Sequence, residues 1–247
     1  MLKFDNSGFD AIQAAQSFDR FAVELPDDAV TALHKLMELR QSQPEDPPRD
    51  TVAHLIADSA KPNVIDAAIA AHVGANHRQQ QHRVAETLTG RRVLAAIMAD
   101  RARLHTELAV TADELIDRLH RAALITESVV DLARAKRPDD AHLLAVIESD
   151  AAELKDLYVL RDRYLTADGA RWSTGWWSCQ HWRTPWDHGH VADHDSSQWG
   201  AWRAVIRAGG NLWFVPIEEA TAASAKHEPS GPDLMTQPFN PRKGTFV

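Results

Sequence analysis

Apolar positions recur every three to four residues over most of the first two-thirds of the chain, the period of helices buried on one side. Phe4, Phe9, Ile12, Phe18, Phe21 and Leu25 are spaced among polar residues, as expected for a docking arm with a short helix over Ala11–Ser17. Pro26-Asp27-Asp28 combines a fixed φ with acidic side chains that suit the positive end of a helix. The pattern predicts a helix from about Asp27 to Arg40, with Leu33, Leu36, Met37 and the stem of Arg40 near one face. Pro44, Pro47 and Pro48 then remove donors and push the chain out of the helical region, so 43–49 reads as a linker.

A short helix is expected over Asp50–Ala60 and, after Pro62, a long one rich in alanine to about Ala109, with bends at Gly74 and Gly90. Thr111-Ala112-Asp113-Glu114 matches a capping box, which predicts a new helix there. Its stripe Leu115, Leu119, Ala122, Ile125 or Thr126, Val129 and Leu132 runs to Arg137-Pro138. Asp139 and Asp140 open another helix, with Leu144, Ile147, Ala151, Leu154, Tyr158 and Leu165 on a narrow stripe and Arg161 filling a seam position. Such a stripe predicts coiled-coil-like contact and packed helical hairpins, within one chain or between copies. Tyr158 and Tyr164 read as plain helix residues.

The pattern changes at Ala167-Asp168-Gly169, because all eight tryptophans lie between Trp172 and Trp213. Ala201–Arg207 and Leu212–Ile217 flank Ala208-Gly209-Gly210-Asn211, which reads as a β-hairpin about a φ-permissive turn. From Lys226 four prolines and two glycines predict an extended tail, with Leu234, Met235, Phe239 and Phe246 as spaced anchors for a groove on a partner. The expected fold class is therefore mainly α: a long helical hairpin or bundle with a small tryptophan-rich α+β or β-hairpin module. The expected divisions are 1–48 (arm, helix and linker), 49–166 (helical body), 167–225 (tryptophan-rich module) and 226–247 (tail).

Hydrophobic residues make up 44% of the 247 and charged residues 25%, an ordinary globular balance. The start of the chain lacks the features of a secretory signal, and no run approaches the apolar length of a membrane span. Cys179 is the only cysteine, so no intrachain disulfide can form and a reducing, cytoplasmic setting is expected. The net charge of −8 is uneven, and only residues 61–110, with 7 basic and 4 acidic groups, are positive. Acidic neighbours on both sides disfavour a nucleic-acid backbone as partner.

Residues 179–195 concentrate Cys179, His181, His188, His190, Asp193 and His194, ligand types that suit zinc or another divalent metal. His188-Gly189-His190-Val191-Ala192-Asp193-His194 resembles the His-x-His-x-Asp-His pattern of metallo-β-lactamase-fold hydrolases. It misses that spacing by one residue, which redirects the ligands, and long helices replace the strands expected before the motif. No catalytic role is carried over. His72, His77 and His82 recur every five residues and so spread around a helix. No phosphate loop, nucleophile elbow or paired-cysteine motif is present.

The leading expectation is a non-enzymatic structural or assembly protein without a cofactor, a homo-oligomer or the companion of a protein partner, of the kind found in viral particles and other large assemblies formed in the cytoplasm. Trp176, Trp177, Trp182 and Trp186, with the tail anchors, are its contact candidates. The alternatives are a metal-binding hydrolase or metal-stabilised domain at the 179–195 loop, and a carbohydrate or small-ligand module on a helical stalk.

Overall fold

The computed structural model describes residues 6–44, 50–166, 181–184, 187, 197–225, 239–240 and 245–246. Among these the chain is mainly helical: α1 (Ser7–Arg20), α2 (Asp27–Gln41), α3 (Thr51–Ala57), α4 (Pro62–Ala99), α5 (Arg101–Leu124), α6 (Val129–Arg134), α7 (Pro138–Tyr164), α8 (Gln198–Arg207) and α9 (Ile217–Ala225). A two-stranded antiparallel ladder joins β1 (Phe239–Asn240) to β2 (Thr245–Phe246), with Phe239 opposite Phe246. The chain divides into two compact units, residues 1–111 with 159–165, and residues 112–158 with 166–247.

In the first unit α1, α2 and α3 pack on α4. The expected arm is thus a full helix, and its inner face of Gly8, Ala11, Ala14 and Phe18 is small enough at one end for close approach. The approach is closest at Gly90, where a Cβ would stand 2.5 Å from Ser7 C and O and Gly8 N. Gly90 therefore marks a helix crossing, and α4 continues through it. Arg103 bonds Asp100 and Glu107 and also donates to the carbonyl of Glu24, fastening the start of α5 to the α1–α2 connection. Arg163, near the end of α7, pairs with Asp10 of α1 at 2.6 Å.

Helix boundaries depart from the sequence pattern in two places. The long helix stops at Asp100, and α5 then runs unbroken through Thr111. The box at Thr111-Ala112-Asp113-Glu114 lies inside a helix because Leu104, Leu108, Ala112 and Leu115 form one continuous buried stripe across it. The working box is Ser128-Val129-Val130-Asp131, where Ser128 Oγ accepts the Asp131 N–H and donates to its carboxylate, and α6 starts there. The expected helix to Arg137 is accordingly split in two.

The second unit is built on the C-terminal half of α5 and most of α7. Leu115, Leu119, Ala122, Leu154 and Leu157 are fully buried or nearly so. The stripe on α7 is wider than a coiled-coil seam, since Leu143, Leu157 and Leu160 are buried beside the expected Ile147, Ala151, Leu154 and Tyr158. Bidentate pairing of Arg118 with Asp150, at 2.9 and 3.2 Å, ties the two helices together.

The expected β-hairpin over 201–217 is a correction. Ser197 caps a helix, α8, by accepting the Gly200 N–H, and Trp199, Trp202 and Ile206 line its buried face at helical spacing. Gly209, at φ 98°, is the left-handed residue of a Schellman cap, with Gly209 N–H to Ile206 O and Gly210 N–H to Val205 O. The glycine pair that resembled a hairpin turn thus ends a helix. The β contact in this stretch is the single bridge between Trp182 and Leu212.

Candidate partner-binding surfaces

Tyr158 organises the aromatic residues of the second unit. Its hydroxyl donates to the Trp213 carbonyl at 2.9 Å. Its ring lies 4.3 Å from His181, 5.6 Å from Phe214 and 6.1 Å edge-on from Trp202. Of the described indoles, Trp202 thus packs edge-on against α7 through Tyr158. Nearby, Arg207 donates to the carbonyls of Ala123 and Ile125, and Arg203 to that of Ile125. These guanidinium groups satisfy acceptors left open where α5 ends, and place positive charge at the negative end of its dipole.

His120 completes this region. Its Nε2 accepts the Leu212 N–H at 3.4 Å, which requires the neutral ring. Burial pushes its pKa down, and the nearby Asp117 carboxylate opposes that only in part. In the first unit, Arg161 is 1% exposed and its guanidinium reaches Asp162 at 2.7 Å. Burial holds the Asp162 carboxyl above its usual range despite that neighbour.

Of the residues singled out from sequence, Trp182 is 9% exposed and bridged to Leu212, while the His181 ring lies against that of Tyr158, tilted by 47°. Phe239 and Phe246 are backbone register partners in the β1–β2 ladder. Trp176, Trp177, Trp186, Leu234, Met235, Cys179, His188, His190, Asp193 and His194 lie outside the described residues. Among the described residues no group of three His, Cys, Asp or Glu side chains is placed to hold a metal ion, and no helix is long and apolar enough to cross a membrane.

A surface that the sequence reading passed over lies on α4. Its buried residues, Thr89, Gly90, Val93 and Ile97, all sit toward its C-terminal end. Ile69, Val73, Val84 and Leu88 are 43%, 60%, 46% and 49% exposed. At about 100° per residue, these four fall in an arc of roughly 100°, turned about 140° from the face of Gly90, Val93 and Ile97. Asp66 and Arg91, also exposed, extend the same arc at its two ends. The signal was present in the sequence as apolar residues on both sides of one helix, an arrangement expected of a helix buried all round. No protein-family model, curated protein or solved structure matches this chain.

Proposed function

We propose that this chain is a non-enzymatic structural or assembly protein whose helical body associates with further copies of itself or with a protein partner, as in a viral particle or another large assembly. The observation that carries the reading is α4: Ile69, Val73, Val84 and Leu88 stand exposed along a helix whose other face is covered by α1, α2 and α3. Aliphatic side chains aligned on one exposed arc favour removal from water by association. The indoles and tail anchors outside the described residues are the additional contact candidates. A cytoplasmic setting belongs to the same reading, because a chain with the lone Cys179 does not depend on intrachain disulfides.

Light scattering coupled to size-exclusion chromatography tests this. The expected result is a mass that is a multiple of 27.5 kDa and rises with loading concentration. A single species of 27.5 kDa at every concentration would overturn self-association and leave only a different protein as the partner.

A further inference from the structure

We infer that α4 pairs antiparallel with α4 of a second copy of this chain, across the exposed stripe of Ile69, Val73, Val84 and Leu88. The inference rests on the assembly reading above and gives it a partner and a register. Its warrant is the symmetry of the pattern. Ile69 and Leu88 lie equally far on either side of the Arg78–Gln79 peptide bond, and so do Val73 and Val84. A two-fold axis through that point sets Ile69 of each copy opposite Leu88 of the other, and Val73 opposite Val84.

The flanking charges obey the same symmetry. Asp66 and Arg91 are also equidistant from that bond, so each Asp66 meets an Arg91 of the second copy at both ends of the contact. A parallel arrangement would instead set Asp66 against Asp66 and Arg91 against Arg91, and like charges in register disfavour it. At the centre, His77 faces Gln80 of the second copy, and such polar pairs inside an apolar seam fix register and orientation. An isologous contact of this kind closes on two copies, because the same patch is used by both. The buried face of Gly90, Val93 and Ile97, crossed by α1 at Gly90, points elsewhere, so the pairing leaves that part of the core of the first unit intact.

The test is the dissociation constant of the full chain by sedimentation equilibrium, beside three variants. Val73→Glu/Val84→Glu buries charge in the seam and is expected to weaken self-association by about 100-fold or more, with helical circular dichroism unchanged. Asp66→Arg is expected to weaken it by about tenfold, and Asp66→Arg/Arg91→Asp to restore it to within about threefold of the parent. The charge reversal stays informative should the glutamate variant fold poorly. In a Cys179→Ser background, Val73→Cys/Val84→Cys is expected to oxidise to a dimer linked from position 73 to position 84. Those positions on one helix are about 16 Å apart, too far for an intrachain bond.

Self-association that survives Val73→Glu/Val84→Glu, a charge swap without rescue, or 73-to-73 disulfides would each overturn the antiparallel pairing while leaving the assembly reading in place. A parent chain that is monomeric throughout would overturn this pairing together with the self-association on which it rests.

Discussion

Ala22, Ser59 and Lys136 hold left-handed backbone, with φ of 53°, 56° and 57°. Each is the turning residue of a Schellman cap, since Val23, Ala60 and Arg137 donate to Phe18, Leu55 and Leu132 respectively. A side chain in this conformation costs about 1 kcal/mol or more, and glycine is the usual solution. Ala22→Gly is therefore expected to raise stability by about 0.5–1 kcal/mol, read as a higher denaturation midpoint; an unchanged or lower midpoint would speak against the cap. His120 supplies a second prediction at this scale. Its folded-state pKa lies below the unfolded value of about 6.5, because burial disfavours the charged ring. The stability it contributes is thus present above about pH 6.5 and lost as pH falls through the folded value. Replacing it by His120→Gln should flatten the fall in unfolding free energy below pH 6.5; slopes that match the parent's would contradict the assignment.

Among the elements, the crossing of α1 over α4 depends on a missing side chain. A Cβ at Gly90 meets backbone atoms of Ser7 and Gly8, whereas one at Gly74 meets only the Arg78 guanidinium at 3.7 Å. Gly90→Ala is expected to cost about 1–3 kcal/mol and to loosen α1, while Gly74→Ala should be neutral or stabilising by up to about 1 kcal/mol. Thermal unfolding of the two variants side by side checks this, and equal effects would exclude the close approach. Most elements were legible in the sequence. Pro26-Asp27-Asp28 and Pro62 marked the starts of α2 and α4, because proline and acidic side chains act locally. Ends were harder to read when they fell on alanine, serine or lysine, whose left-handed backbone leaves no mark in composition. Thr111 and Ser128 head the same local motif, and burial on the far side of α5 decides that only Ser128 begins a helix. Gly209-Gly210 suits a hairpin turn or a helix cap equally well, and the buried Trp199, Trp202 and Ile206 select the cap.

At the scale of the whole molecule, the helices hold their leucines and alanines inside, as the periodicity predicts. Tyr158, read as a plain helix residue, receives the aromatic side chains of the later segment through ring contacts and a hydrogen bond to Trp213. Periodicity alone gave no sign of this, since it reports which face of a helix is buried and not what covers it. The exposed arc of α4 was overlooked for the related reason that one covered face already accounts for an amphipathic helix. Self-association through that arc is the central claim, and amide hydrogen exchange as a function of chain concentration tests it most directly. Amides of residues 66–91 should exchange more slowly as concentration rises through the dissociation constant, while those of 138–158 in α7 stay unchanged. Equal exchange in 66–91 at low and high concentration would contradict it.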